Sequence, residues 1–346
     1  TINYVKTAYG MTTTETQTVK AGLNETITLE APNFDGFTLT SKAMLTGKLY
    51  ANKPNVFNFY YKDSSAPSYD SVAWYYPALD SSNGYDNAHN DAIAQTMKAA
   101  GFTTVNLAGK NNININSETN VEAMKQIIAM FNRNGLKSVV YTSNATNSEM
   151  FGNTTLPDFS DCAGFAGLLV WDEPLPTTAA MNRLAEYAVW FNEVYGESTE
   201  EMPFIVNLFP SYASYFTSNK SGDYKTYSDY IKAYCDIVLS KVNGTKYLSM
   251  DSYPIMADGT LKENFLYDLA VLKAYGMDYD AFVHACLQSS GWDEGNTTQA
   301  KAPTEEQMRL QLYTALAFGM DSVSWFTYSP SNDNITNQSP VDFAGN

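Results

Sequence analysis

The sequence is poor in basic residues, histidine and cysteine. Its 346 residues include 21 Lys or Arg against 37 Asp or Glu, a formal net charge of -16. Nucleic acid and anionic membranes are therefore not expected as partners, because their phosphates would be repelled. The cysteines are too few for a disulfide framework, and neither of the 2 histidines lies at a zinc-ligand spacing from a cysteine. We expect core thiols at Cys162, Cys235 and Cys286, no metal and no cofactor.

Long apolar runs are also missing. No segment approaches the roughly 20 apolar residues that a membrane span needs, and no charged-then-apolar signal segment opens the chain. The apolar fraction of 44% and the aromatic fraction of 14% are nevertheless ample for a packed core. Asn, Thr, Ser and Tyr dominate the polar positions, as is common in secreted proteins that handle carbohydrate. We expect a secreted or cell-surface protein whose partner is a neutral or N-acetylated glycan; the sequence leaves its oligomeric state open.

Residues 1–62 are predicted to form a small β domain. Apolar or β-branched residues alternate with polar ones, and turn pairs such as Ala21-Gly22 and Asp35-Gly36 interrupt them. The segments 34–39, 45–47 and 56–62 resemble the β-grasp repeat of mucin-binding proteins, which occurs on the surface of Gram-positive bacteria. This resemblance implies an extracellular module that binds a ligand or serves as a spacer. Residues 63–68 are predicted to be a linker.

From residue 69 to residue 346, predicted strands alternate with predicted helices. Apolar strand segments are followed by helical segments, and no Gly-rich phosphate loop follows the first strand. This pattern favours an α/β fold of the (β/α)8 TIM-barrel type over a doubly wound sheet. The sequence ends at Asn346 without a segment for an eighth helix, which we therefore expect to be missing. The predicted strands cover residues 71–75, 103–107, 137–141, 165–171, 204–208, 247–251, 281–287 and 322–327.

The most informative stretch is the apolar run 165–171, which is followed directly by Asp172, Glu173 and Pro174. Such a run is typical of a strand that is buried on both faces. Two adjacent carboxylates behind the aromatic ring of Trp171 are expected to raise the pKa of one of them, which is what a general acid requires. A solvated acidic loop or a helix that begins at Pro174 is the alternative interpretation.

If the fold is a barrel, the carboxyl ends of its strands form the active face. The residues predicted there combine aromatic rings, amides and phenols with the carboxylates. Aromatic rings stack on sugar rings, while amides and phenols bind sugar hydroxyls, so this combination favours a carbohydrate site. The predicted substrate-binding residues are Tyr76, Asn106, Tyr141, Asn207, Tyr253, Gln288, Trp292, Trp325 and Tyr328.

The chain resembles the clan A glycoside-hydrolase barrels, in which strand four ends in Asn-Glu-Pro and strand eight carries an aromatic platform. The matching residues are Asp172-Glu173-Pro174 and Trp325. The resemblance implies that Glu173 is the general acid/base. Two positions depart from the family pattern: Asp172 replaces the asparagine, and the seventh strand has Gln288 where the family has its glutamate nucleophile.

Three interpretations follow from these departures. In the first, Glu173 is the acid and Asp251 is the second carboxylate, far enough away for a water molecule to lie between them, as inversion requires. In the second, Glu173 and Asp172 act as in the family 20 hexosaminidases, where a substrate acetamido group replaces the nucleophile. The second requires the strand to end or twist near Trp171. In the third, the barrel only binds glycans, and Gln288 is the relic of a nucleophile.

Overall fold

A computed structural model describes residues 1–8, 11–39, 41–51, 54–63, 70–82, 84–107, 118–142, 158–196, 203–218, 221–294, 297–329, 337–338 and 340. The chain forms two compact units, Thr1–Ser68 and Tyr69–Asn346. None of the described helices is both long and apolar enough to cross a membrane.

The first unit consists of β-strands. Its larger sheet has the order β2-β1-β6-β4, with β1 and β6 parallel in the centre, and a separate antiparallel pair is formed by β3 and β5. A small core forms around Ile2, Phe59 and Tyr61. The predicted β-rich region is confirmed, while its mucin-binding type stays a prediction. The strands are β1 Ile2–Ala8, β2 Met11–Gln17, β3 Thr26–Glu30, β4 Phe37–Leu39, β5 Met44–Lys48 and β6 Phe57–Asp63.

The second unit contains a closed barrel of eight parallel strands, in the order β10-β11-β12-β13-β16-β7-β8-β9. The predicted (β/α)8 TIM barrel is therefore confirmed. The barrel strands are β7 Asp70–Trp74, β8 Thr104–Asn106, β9 Lys137–Tyr141, β10 Phe165–Asp172, β11 Phe204–Leu208, β12 Tyr247–Ser252, β13 Phe282–Gln288 and β16 Ser322–Phe326. A small sheet beside the barrel is formed by β14 Gly291–Glu294, β15 Thr297–Ala300 and β17 Asn337–Gln338.

Helices pack against the outside of the barrel, and the main hydrophobic core lies between the two layers. Side-chain caps fix several helix starts; Thr304 and Gln307, for example, form a reciprocal capping box. After β16, none of the described residues is helical. The helices are α1 Ala88–Ala99, α2 Glu118–Arg133, α3 Thr178–Tyr195, α4 Ser214–Thr217, α5 Tyr227–Ala233, α6 Asn264–Asp278 and α7 Glu305–Ala317. A π-helical turn, Tyr234–Val238, and a 3-10 turn, Leu239–Lys241, continue α5.

All three cysteines are free thiols. Cys235 and Cys286 are buried, as predicted for core residues, whereas Cys162 is only half-buried.

Candidate active site

Three carboxyl groups meet at the carboxyl ends of β10 and β12, and Asn207 at the end of β11 connects two of them. The Asn207 Nδ2 donates a hydrogen bond of 2.9 Å to Asp172 Oδ1 and a longer one of 3.5 Å to Asp251 Oδ1. The Ser249 hydroxyl donates to Asn207 Oδ1 at 3.1 Å. The Asn207 side chain therefore donates to two carboxylates while its oxygen accepts from Ser249. These hydrogen bonds fix the orientation of both carboxylates.

The backbone of β10 lets two consecutive acids enter this cluster. The pairing register of β10 with β11 shifts between Leu169 and Trp171. Glu173 has a φ of 53°, and its N–H donates to the Asn207 carbonyl at 2.8 Å. A left-handed residue directly after a bulge breaks the alternation that would otherwise send neighbouring side chains to opposite faces. The strand is therefore irregular near Trp171, as the interpretation with Asp172 and Glu173 as an acting pair requires.

The protein environment raises the pKa of each carboxyl group. Burial raises the pKa of Asp172 to about 6, against the opposing effect of the hydrogen bond from Asn207. Glu173 keeps solvent access at the mouth of the site, but protein atoms surround its carboxyl on most sides. This burial and the negative charge of Asp172 raise the pKa of Glu173 to about 7. Asp251 is only 2% exposed, and burial and the charges of Glu173 and Asp172 raise its pKa well above the ordinary value.

The carboxyl groups of Glu173 and Asp251 lie close enough for each to influence the pKa of the other. The negative charge of Glu173 favours the protonated form of Asp251. Inverting glycosidases keep their two carboxyl groups about 6.5 to 9.5 Å apart. Whether Glu173 and Asp251 act at that spacing stays a prediction.

A cleft of ≈ 330 Å³ opens above Glu173 and Asp251. Aromatic rings form much of its wall, and Lys262 is the basic residue among those that line it. A hollow of this size, with aromatic walls and convergent polar groups, is suited to a small organic ring such as a sugar. The other lining residues are Phe209, Pro210, Tyr212, Ala213, Ser214, Tyr215, Tyr253 and Trp292.

Four of the predicted substrate-binding residues lie at or beside this site. Tyr253 and Trp292 line the cleft with their rings 5.3 Å apart, and Asn207 lies among the carboxyl groups. Tyr141 lies near Asp172, and burial and the charge of that carboxylate raise the pKa of its phenol.

The other predicted substrate-binding residues lie elsewhere, which corrects the sequence prediction. Tyr76, Trp325 and Tyr328 belong to the core between strands and helices, where Tyr76 meets Phe131 and Tyr328 meets Phe102. Asn106 lines a cavity of ≈ 30 Å³ inside the barrel.

Gln288 is fully buried and bonded to the main chain. Its Oε1 accepts from the Ile255 N–H at 2.8 Å, and its Nε2 donates to the carbonyls of Ser290 at 3.1 Å and Lys301 at 2.9 Å. The side chain therefore holds loops together and does not line the cleft. This removes the main support for Gln288 as the relic of a nucleophile.

Sequence reasoning missed Phe326, Tyr212 and Lys262. Because side chains alternate along a strand, Trp325 on the helix side of β16 places Phe326 on the inner side. Phe326 packs against Tyr253 and Trp292, with ring centroids 5.1 and 6.2 Å away. The alternation could have identified Phe326, whereas Tyr212 and Lys262 lie on loops whose course no sequence pattern indicated.

A pair of substitutions in β16 distinguishes the two aromatic residues. We expect Phe326→Leu to raise KM roughly tenfold, the equivalent of about 1.4 kcal/mol, because the rings that line the cleft lose their support. Trp325→Phe is expected to lower the stability of the fold and to leave KM unchanged. Steady-state kinetics and urea denaturation measure the two effects, and an unchanged KM for Phe326→Leu would contradict the assignment.

No family model matches the sequence, and neither does a curated protein. Solved structures do match. The fold is similar to that of a provisionally assigned alpha-L-fucosidase from Bacteroides thetaiotaomicron, with a TM-score of 0.51, 10% identity, and 75% of this chain and 85% of that chain covered. The second unit is a TIM barrel.

Two further solved structures are less similar. The endo-1,4-beta-D-mannanase from Thermotoga petrophila gives a TM-score of 0.41 at 13% identity, over 75% of this chain and 87% of that chain. The N-acetylneuraminate lyase from Proteus mirabilis gives a TM-score of 0.39 at 14% identity, over 76% of this chain and 71% of that chain. The likeness to the fucosidase shows the fold alone, and we draw nothing from the two structures with lower TM-scores.

Proposed function

We propose that the TIM barrel is a glycoside hydrolase in which Glu173 is the general acid. The observation that carries this proposal is the group of three carboxyls of different proton affinity beside an aromatic cleft. Cleavage of a glycosidic bond needs a protonated carboxyl for the leaving oxygen and a second, ionised one nearby. With a pKa raised to about 7, Glu173 holds such a proton in slightly acidic solution. The fucosidase name of the similar barrel agrees with this class of reaction.

Asp172 is the ionised partner in this proposal. Its pKa of about 6 lies below that of Glu173, so Asp172 ionises first. An ionised Asp172 can orient the acetamido group of a substrate, whose oxygen then attacks the anomeric carbon while Glu173 protonates the leaving oxygen. Asp251, whose pKa is raised well above the ordinary value by burial, stays protonated in this proposal and can donate a hydrogen bond to Glu173. This mechanism limits the substrates to 2-acetamido sugars.

One observation favours a second candidate mechanism. Asp251 lines the cleft together with Glu173, whereas Asp172 is not among the residues that line it. In this alternative, substrate binding separates the Glu173 and Asp251 carboxyls, and Asp251 becomes the nucleophile of a retaining hydrolase.

A panel of aryl glycosides, with and without a 2-acetamido group, tests the function. We expect hydrolysis with retention at the anomeric carbon, followed by NMR, and an activity that falls as pH rises above about 7, because Glu173 then loses the proton it must donate. Cleavage restricted to 2-acetamido sugars supports the role of Asp172, and cleavage of other sugars supports Asp251. Binding without hydrolysis of any member would contradict the proposed activity.

We also propose that the protein acts outside the cell on a carbohydrate. The Asn-, Thr-, Ser- and Tyr-rich composition supports this location, as does the resemblance of residues 1–62 to mucin-binding repeats.

A further inference from the structure

The cleft contains a lysine whose ammonium group is held in place but forms no salt bridge with another described residue. Lys262 lies just before α6, and its N–H donates to the Pro254 carbonyl at 2.8 Å. Its side chain lines the cleft together with Glu173 and Asp251. The Nζ lies 3.5 Å from the centroid of the Tyr212 ring, which is cation–π distance. The ring therefore fixes where the positive charge is presented.

The ring is itself held firmly. The Tyr212 oxygen accepts a hydrogen bond of 2.8 Å from the Tyr253 N–H. The preceding Ser211 is anchored by α6: its N–H donates to Asp268 Oδ1 at 3.2 Å, and its hydroxyl accepts from Asn264 at 3.0 Å. Asp268 is fully buried and also accepts from the Ser252 hydroxyl, next to Asp251 in sequence. The position of the ammonium group is thus built into the same wall that carries Asp251.

Lys262 takes part in none of the ion pairs among the described residues, and no hydrogen bond joins its ammonium group to another of them. Burial lowers the pKa of Lys262, and the charges of Asp251 and Asp268 oppose this effect, although no carboxylate among the described residues contacts the ammonium group. A partly desolvated cation that forms no salt bridge binds a charged acceptor more strongly than a neutral hydroxyl.

We propose that Lys262 determines specificity by binding an anionic oxygen group, a carboxylate or a sulfate ester, on the sugar in the cleft or on its neighbour. This rests on the proposed function and names a narrower substrate class. The net charge of -16 does not oppose such a contact, because exposed charges are largely screened beyond about 8 Å at physiological ionic strength. The raised pKa values of Glu173 and Asp251 also reduce the negative charge beside the lysine.

Calorimetric titration of the full chain carrying Glu173→Gln, which slows hydrolysis, tests the proposal. One arm compares N-acetylglucosamine with its 6-sulfate, and the other compares N-acetylglucosamine linked to glucose with the same sugar linked to glucuronic acid. We expect the anionic member of at least one pair to bind about tenfold more tightly at low salt, with a smaller ratio at high salt. The pair that shows this affinity ratio identifies the anionic group as a sulfate ester or as a carboxylate.

Lys262→Met is expected to abolish the preference in affinity for the anionic ligand. Lys262→Arg is expected to retain most of this affinity ratio. Lys241→Met, at an exposed position in the turn before β12, is the matched control and should leave it unchanged. Equal affinities within both pairs, or a ratio that survives in Lys262→Met, would overturn the inference and leave the proposed function standing. A parent chain that hydrolyses no glycoside but keeps the ratio would contradict the proposed function alone.

Discussion

Replacing Glu173 with Gln is expected to lower kcat/KM by about 10²- to 10⁴-fold, the usual contribution of a general acid. The amide has the shape of the carboxyl but cannot give a proton to the leaving oxygen. Gln also fills the same volume as Glu, so the fold and the cleft should persist. The loss should be largest for substrates with poor leaving groups, because activated aryl groups need little protonation.

The matched control is Glu193→Gln, at an exposed position of α3. It removes the same charge at the surface and should leave the kinetics unchanged. Equal activity of the Glu173→Gln variant and the parent on an unactivated substrate would show that another residue is the acid. In that case Asp251, whose pKa is also raised by burial, becomes the next residue to test.

The barrel was predictable because its strands are continuous apolar runs. Parallel strands covered by helices are buried on both faces, so each leaves a clear pattern in the sequence. Asp172 and Glu173 could be recognised for the same reason, since they end such a run. The fact that both side chains enter the same site could not be predicted. It depends on the register shift after Leu169 in the pairing with β11 and on the left-handed backbone at Glu173.

The wrong assignments have different causes for residues within a strand and for residues after its end. Beyond the end of a strand, alternation no longer tells which way a side chain points. Tyr75 has a φ of 67°, and Tyr76 after it packs into the outer core, although it directly follows predicted strand residues. The resemblance to clan A barrels assigns the aromatic platform to Trp325, whereas the structure places the smaller Phe326 on the inner side. Tyr212 and Lys262 enter the cleft from loops positioned by Asp268.

Asp251→Asn is expected to stabilise the barrel at neutral and alkaline pH while it lowers activity. Burial and the charges of Glu173 and Asp172 raise the pKa of Asp251 well above that in the unfolded chain. The folded state therefore binds this proton more tightly, and the stability it contributes is lost as pH rises above the unfolded value toward the folded one. Asn cannot ionise, and its amide can keep the hydrogen bonds to Asn207 and Glu173.

Thermal unfolding followed by tryptophan fluorescence measures this effect, because all 5 tryptophans lie in the second unit. We expect the midpoint to rise by roughly 2 to 4 °C at neutral pH, the change that about 1 kcal/mol produces in a large domain, with little difference below about pH 4. Asp280→Asn is the control, because it removes an exposed carboxylate at a left-handed position that Asn tolerates. A midpoint that falls at neutral pH would show that the Asp251 carboxylate stabilises the fold.

The kinetics of Asp251→Asn then separate the two mechanisms. If Asp251 only positions Glu173, kcat should fall about tenfold, because the substituted amide still donates to the acid. If Asp251 is the nucleophile, the chemical step loses its attacking oxygen, and activity should fall to background and return with added azide as an external nucleophile. A more stable fold with modestly reduced kcat would therefore assign catalysis to Asp172 and Glu173, with Asp251 as the buried acid that holds Glu173 in place.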